Sequence, residues 1–492
     1  MSVPLDDDND LRRERREKLA ALRAAGVEPF PYRFAVTHSA SEILASATAL
    51  SAADAPNVSA AGRLVSKRLH GKAGFGHLLD RTGQIQVYFK VDVLGEAQYE
   101  FARALDMGDI VGIDGRVFTT RTGETTVEAR SITLLSKSLR PLPEKWHGLT
   151  DLETRYRQRY VDLIVNPEVR KTFALRTRIV SAIRRFLDER GFLEVETPVL
   201  QPLYGGASAR PFVTHHNALG IPLYLRIANE LYLKRLIVGG LERVYEFSKD
   251  FRNEGMDRFH NPEFTMLELY QAYADYGDMM DIFEGMLREA ALASLGTTVV
   301  TFQGKSADLA RPWQRLTYVD AIERAVGRSV RGASAADLRA LCADHKIAAA
   351  PEASRGGLLA ELFGALVEPS IEEPTFVLDF PKEISPLAKE KRGDPDLVER
   401  FEPFLFGMEV GNAFSELNDP EEQERRFLAQ KELLGDEREE AQVLDRDFIR
   451  ALEYGMPPTG GLGVGIDRIT MVFANEPSIR DVILFPQMRP EA

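Results

Sequence analysis

The residues best equipped for chemistry gather in three stretches of the chain. In Glu-Arg-Val-Tyr-Glu-Phe-Ser-Lys-Asp-Phe-Arg (242–252), Tyr245, Phe247 and Phe251 share one parity, and Glu246, Ser248, Asp250 and Arg252 share the other. Side chains alternate along a strand, so the spacing predicts a strand that buries its aromatics, presents its polar set and ends with Arg252 facing open space. A polar loop follows through Asn253, Glu254, Gly255 and His260 to Asn261. Beyond Pro262 a second predicted strand puts Phe264, Glu268 and Tyr270 on one face and Thr265, Leu267 and Leu269 on the other. An arginine beside an aromatic ring and two acids suits a nucleotide with an amine-bearing partner; a surface hairpin with incidental ion pairs uses the same residues.

In the second stretch Glu402 and Glu409 bracket Pro-Phe-Leu-Phe-Gly-Met, and Asn412, Phe414 and Glu416 alternate after them. Carboxylates with polar neighbours supply the oxygen ligands that Mg²⁺ takes alongside waters and substrate phosphates. Glu409 is out of step with the even-numbered set, which predicts a bulge near Gly411. The third stretch is Gly-Gly-Leu-Gly-Val-Gly-Ile-Asp-Arg (460–468). Gly460, Gly461, Gly463 and Gly465 let backbone approach a ligand closely, and Arg468 falls where a helix begins, adding a cation to its positive end. The glycine pattern is only superficially that of a dinucleotide fingerprint, since no parallel-sheet unit precedes it.

The elements that position these residues are read from texture and composition. A chain of 492 residues exceeds one hydrophobic core and predicts two or three domains. Residues 11–25 are helix formers with Leu11, Leu19 and Leu22 near helical spacing, stopped by Gly26 and Pro29; this predicts a solvated charged helix or one that touches RNA. From about 58 to 135, short alternating runs punctuated by glycines predict a small closed β-barrel. Residues 58–145 hold 13 Lys or Arg against 10 Asp or Glu, a local positive balance in a chain of net charge -13. Arg63, Lys67, Arg68 and Lys72 precede Phe75, pairing cations for phosphates with a ring for stacking a base, and the amide of Gln86 suits a base edge; Phe75 equally suits a barrel core. Pro141 and Pro143 mark a linker. Cys342 is the only cysteine, so the chain has no internal disulfide and no cysteine-built metal cluster. No run of about 18 apolar residues and no apolar signal core occurs, which predicts a cytoplasmic protein without a membrane partner.

Together the stretches resemble the class II aminoacyl-tRNA synthetases, in their bacterial-type lysyl form. Phe-Arg-Asn-Glu-Gly with His-Asn-Pro-Glu-Phe (251–255 and 260–264) is similar to the second signature motif, and Gly-Leu-Gly-Val-Gly-Ile-Asp-Arg (461–468) to the third. Arg178 to Gly191 running into Phe-Leu-Glu-Val-Glu-Thr-Pro (192–198) is similar to the first, which forms the dimer interface in that class. Gly-Gly-Ala-Ser-Ala-Arg-Pro-Phe (205–212), Glu-Leu-Tyr-Leu-Lys-Arg-Leu (230–236) and Phe-Ser-Glu-Leu-Asn-Asp (414–419) point to the lysine branch. Asn229 and Ser208 are departures that remove no functional group.

The resemblance implies an α+β chain: a helical extension (1–55), an OB-fold barrel reading the anticodon (56–147), and a catalytic domain with an antiparallel sheet flanked by helices (148–492). It implies lysine activation by ATP, transfer to the 3′ end of tRNA(Lys), Mg²⁺ as cofactor and a homodimer. Residue by residue, Arg252 and Arg468 clamp ATP phosphates and carry catalysis, Phe264 stacks on adenine, Glu254 meets its edge, and His260, Asn261 and Gly463 line the ATP site. Glu402 and Glu409 hold Mg²⁺. Gly206 and Glu230 take the α-amino group of L-lysine and Arg252 its carboxylate, while Glu268, Tyr270, Asn412, Phe414 and Glu416 enclose its side chain. Arg68, Phe75 and Gln86 contact the anticodon. Three alternatives share parts of this pattern: an aspartyl or asparaginyl synthetase, a ligase that attaches lysine to a protein, and an RNA-binding protein without activity.

Overall fold

The computed structural model describes residues 10–143, 149–351, 353–434 and 444–490, in two compact units, Met1–Thr150 and Asp151–Pro490. The expected domain boundary at 147–148 lies outside the described residues.

In the first unit, the alternating runs become strands Val58–His70, Ala73–Leu79, Gln84–Lys90, Ile110–Thr119 and Thr125–Ser136, closed into a barrel. Leu64, Leu78, Ile85, Val87, Val111 and Val127 fill its interior, and the residues between them face outward. Closure removes the unpaired sheet edges that would otherwise invite association. The basic segment forms the helix Asp10–Ala24, but it is not wholly solvated. Arg15 and Leu19 are buried, and the Arg15 guanidinium donates to the carbonyls of Met107 (3.0 Å) and Arg140 (2.9 Å).

The second unit is built on one large sheet. Its strands run, in spatial order, Gln314–Thr317, Thr375–Pro381, Asp394–Leu405, Gly411–Ser415, Thr459–Gly465, Glu263–Ala272, Arg243–Phe251 and Leu193–Glu194, antiparallel except for the two outermost pairings. Helices Pro167–Asp188, Tyr276–Leu295 and Ile466–Ala474 cover one face, where Tyr245, Leu267, Leu269, Ala413, Leu462 and Val464 point into the core. The opposite face carries a second core with helices Glu230–Val238, Tyr318–Val326, Arg355–Leu366 and Arg446–Glu453.

Covering both faces changes the fate of the polar set in 242–252. Glu246, Ser248 and Asp250, the polar set that the alternation presents on one face, are 3%, 1% and 1% exposed. A network holds the two carboxylates instead: Arg226 donates to Glu246 at 2.7 Å and pairs with Asp250 at 3.3 Å, and Asn229 donates its amide to Glu246 at 2.9 Å. Asn229, the departure noted above, thereby anchors the start of the helix Glu230–Val238 to the sheet. Among the described residues no helix is long and apolar enough to cross a membrane.

Candidate active site

Register explains why a cavity opens in the middle of the second face. Val244 pairs with Tyr270, Tyr270 with Gly461, and Gly461 with Phe414; one step along, Glu246 pairs with Glu268, Glu268 with Gly463, and Gly463 with Asn412. Gly461, Gly463 and Gly465 therefore occupy the cavity parity of their strand while Leu462 and Val464 fill the opposite core. The glycines leave the floor bare, and the resulting cavity measures ≈ 460 Å³. Gly461 shows how tight the fit is: a Cβ there would lie 1.9 Å from a Glu416 carboxylate oxygen and 2.6 Å from the Tyr270 ring. We expect Gly461→Ala to displace both side chains at a cost of about 1–3 kcal/mol. Amino-acid activation should fall while ATP binding, measured by calorimetry, holds; unchanged activation would show that the floor tolerates bulk.

Every expected residue of the catalytic region lines this cavity: Gly206, Glu230, Arg252, Glu254, His260, Asn261, Phe264, Glu268, Tyr270, Glu402, Glu409, Asn412, Phe414, Glu416, Gly463 and Arg468. At one end the Arg252 guanidinium lies over the Phe264 ring, 5.0 Å from its centroid. Arg468 sits in the first turn of the helix Ile466–Ala474, donates to the Glu409 carbonyl (2.6 Å), and lies 3.2 Å from both a Glu409 carboxylate oxygen and His260 Nε2. Asp257 orients the same imidazole through Nδ1 at 2.8 Å. The adjoining Asp467 accepts from Arg176 at 2.6 Å and from the Thr265 amide at 2.7 Å, pinning the start of that helix to the second strand. Glu254 stands exposed in the loop, whereas Asn261 is buried.

At the other end the lining is acidic. Glu268 accepts from the Tyr270 hydroxyl at 3.1 Å; burial, reinforced by Asp250 and Glu230, raises its pKa well above the usual carboxylate range. Glu230 and Glu416 share the buried ammonium of Lys234. Gly206 adopts φ +86°, and a Cβ would meet Ala228 and Glu230 at 3.1 Å, so glycine alone fits beside Glu230.

Glu402 and Glu409 come together through a hairpin rather than along one strand. The chain turns at Phe406 and Gly407, Phe404 pairs with Glu409, and the following strand restarts at Gly411 after a break at Val410. Burial pushes Glu402 up to about 7 against the pull of Arg400, with Glu409 and Glu368 adding repulsion. Burial also raises Glu368, again with Glu409 adding to it. Oxygen donors with excess negative charge suit a divalent cation, although no group of three or more His, Cys, Asp or Glu among the described residues forms a metal cage by itself.

Sequence reasoning missed Lys234, Glu368 and Arg400. Arg400 donates to Asn412 (2.8 Å), Ser385 (2.9 Å) and Glu402 (2.7 Å) and so connects the amide to the acidic hairpin. Its signal was available: it precedes Glu402 by two and shares its parity. Glu368 had none, because it lies in a single-turn 3₁₀ segment, Glu368–Ser370, remote in sequence.

On the barrel, Arg68 pairs with Phe75 and Phe75 with Tyr88, while His77 pairs with Gln86 and Gln86 with Thr126. These rows lie on the outer face. Phe75 is 38% exposed, so it is not core, and its ring stands 4.8 Å from that of Tyr88. Thr126 donates to the Gln86 carbonyl at 2.7 Å and Gln86 donates to Glu124 at 2.7 Å, which fixes the orientation of the amide.

Comparison with known proteins agrees with this architecture. Residues 151–489 match the family described as tRNA synthetases class II (D, K and N), and residues 58–135 match the OB-fold nucleic acid binding domain. A lysine–tRNA ligase of Moorella thermoacetica is 56% identical over 492 residues, covering 99% of this chain and 100% of the relative. One from Carboxydothermus hydrogenoformans is 55% identical, covering 98% of each chain, and one from Bacillus subtilis is 50% identical, covering 98% of this chain and 97% of the relative. With matches of this extent across the catalytic unit, the chain belongs to the class II tRNA synthetase family and carries an OB-fold domain ahead of its catalytic domain.

Proposed function

We propose that this protein is a lysine–tRNA ligase that forms lysyl-adenylate from L-lysine and ATP and then transfers lysine to the 3′ end of tRNA(Lys). The observation that carries the reading is the polarity of one cavity: Arg252 and Arg468 beside the Phe264 ring at one end, and Glu230, Glu268 and Glu416 with Tyr270 at the other. The arginines suit triphosphate and carboxylate. The carboxyl groups suit ammonium, since a desolvated cation needs acceptors that replace its water. An aspartyl or asparaginyl preference is disfavoured by the same carboxyl groups, which repel an acidic side chain and which a neutral amide leaves without a counter-charge.

In the proposed reaction the lysine carboxylate attacks the α-phosphorus of ATP, a carboxylate–phosphorus bond forms, and the bond to the departing pyrophosphate breaks. The carboxylate is already a nucleophile, so no base is needed, and the protein's work is alignment and neutralisation of spreading charge. Arg252 orients the carboxylate and Arg468 holds phosphate. His260, Asn261, Phe264, Glu254 and Gly463 line the nucleotide end, with stacking of adenine on Phe264. Glu402 and Glu409, with Glu368 beside them, would hold Mg²⁺, which supplies neutralisation of phosphate charge when bound. For lysine itself, Gly206 and Glu230 meet the α-ammonium, and Glu268, Tyr270, Asn412, Phe414 and Glu416 enclose the side chain. A ribose hydroxyl of tRNA then attacks the adenylate carbonyl and releases AMP.

We also assign domains at 1–55, 56–147 and 148–492, a cytoplasmic location, and a homodimer through the helix Pro167–Asp188 and the segments after it. There Leu193, Val199, Leu200, Val213, Leu219 and Ile221 stand exposed together in sequence. Transfer of labelled lysine to tRNA tests the whole reading: charging of tRNA(Lys) but not tRNA(Asp) or tRNA(Asn) is expected, and charging by any amino acid other than lysine contradicts it. Within that assay Phe75→Ala should weaken charging while sparing adenylate formation, because stacking contributes roughly 1–3 kcal/mol per base and acts on the barrel alone. Equal losses in both steps would remove the barrel's reading role.

A further inference from the structure

Lys234 lies within the helix Glu230–Val238, and its side chain is 0% exposed. Its ammonium donates to Glu230 Oε1 at 2.6 Å and pairs with Glu416, and it stands 5.5 Å from the Phe414 ring centroid and 6.0 Å from that of Phe448. Glu230 and Glu416 hold it charged against the cost of burial. Both of these carboxylates line the cavity. The neighbouring cations are already answered: Arg400 by Glu402 at 2.7 Å, and Arg226 by Glu246 at 2.7 Å and Asp250 at 3.3 Å. Among the carboxyl groups that line the acidic end of the cavity, this leaves Glu230, Glu268 and Glu416 against Lys234, with Asp250 behind Glu268 sharing Arg226 with Glu246.

We propose that Lys234 is a specificity-determining positioning residue, an internal cation that locks Glu230 and Glu416 in place and cancels one of the three carboxyl groups, so that the cavity complements a substrate bearing two ammonium groups. This rests on the lysine reading. An amino acid with a single ammonium leaves one carboxyl unanswered in a desolvated site, and that group must then take up a proton or stay charged without a partner, either of which costs binding that a second ammonium recovers. Lys234 never touches the reacting atoms. It acts by keeping two acceptors from repelling one another and by setting how many positive charges the cavity takes.

The test compares Lys234→Met, Glu230→Gln and the double variant Lys234→Met/Glu230→Gln, which restores the original balance of carboxyl groups over cations while Glu230→Gln alone measures the loss of the α-ammonium acceptor. Steady-state lysine-dependent pyrophosphate exchange should show the single variant raising KM for lysine by on the order of a hundredfold, with the KM for ATP unmoved. Relative to Glu230→Gln, the added loss of Lys234 in the double variant should be about tenfold smaller than its loss in the parent, the non-additivity expected of coupled charges. A Lys234 that only packs predicts no such reduction, because the double variant repairs charge and not volume. If Lys234→Met alone does not fold, the double variant is read against Glu230→Gln: a lysine KM within a few-fold of that variant upholds the proposal, whereas a double variant that is unfolded, or roughly a further hundredfold worse than Glu230→Gln, overturns it. An unchanged lysine KM in the single variant overturns it too. Exchange in the unaltered protein that fails to depend on lysine would instead sink the lysine reading, and that control is read before either variant.

Discussion

Arg252→Ala is expected to abolish lysine-dependent pyrophosphate exchange in a protein that remains folded. Arg252 directly follows the strand Arg243–Phe251, its backbone amide donates to the Pro262 carbonyl at 2.9 Å, and its side chain is only part-buried over Phe264. Truncating the side chain keeps the backbone bond and removes one cation–π contact, a loss of about 0.5–1 kcal/mol at a partly exposed site. The catalytic cost is larger. Loss of one preorganised donor aimed at developing charge costs about 3 kcal/mol, on the order of a hundredfold in rate, and Arg252 serves both substrates. Circular dichroism and thermal unfolding establish the fold, and isotope exchange reads the activity. Exchange within a few-fold of the parent in a folded variant would show that Arg252 clamps neither ATP nor the carboxylate.

The second large effect is expected for Glu416→Gln, which keeps size and shape but removes a charge. Glu416 is 1% exposed, pairs with Lys234 and stands against Tyr270 and Gly461. Removing one member of a desolvated charge pair costs roughly 2–5 kcal/mol. The loss should appear in kcat/KM for lysine, while ATP affinity stays. Norleucine has lysine's length without the second ammonium, so its weaker inhibition should change far less. Lysine and norleucine losing affinity in equal measure would make Glu416 a structural residue, held for Lys234 alone. Because Lys234 keeps Glu230 as a partner in this variant, the protein should still fold.

Why so much of the site could be read from sequence, and some of it could not, follows from where each residue's signal lies. Arg252, Phe264, Glu268 and Tyr270 belong to two long adjacent strands, Arg243–Phe251 and Glu263–Ala272, where a period of two states which side chains share a face. Period alone cannot state whether a face is wet. Glu246, Ser248 and Asp250 alternate as a solvent-facing row would, yet helices cover both faces, and Arg226 and Asn229, from a separate segment, hold them buried. Lys234 was hidden for a related reason: in Glu-Leu-Tyr-Leu-Lys-Arg-Leu a lysine beside an arginine reads as the polar side of an amphipathic helix, and only the distant Glu416 turns it inward. The sheet order resisted reading because its outer strands are brief or far apart. Leu193–Glu194 offers two residues to a periodicity argument and pairs with Val244 and Tyr245 about fifty positions on. The glycines at 461, 463 and 465 were recognised as places of close approach, but what they provide is space: each sits opposite a cavity residue of the neighbouring strand, so their shared parity, rather than their number, makes the pocket.

ATP–pyrophosphate exchange measured on the full-length protein with each of the twenty amino acids in turn, in the presence of Mg²⁺ and without tRNA, decides whether the cavity activates lysine. Lysine alone should support rapid exchange, with aspartate and asparagine at background. Exchange driven by aspartate or asparagine, or none with lysine in a protein that binds ATP, would contradict the account.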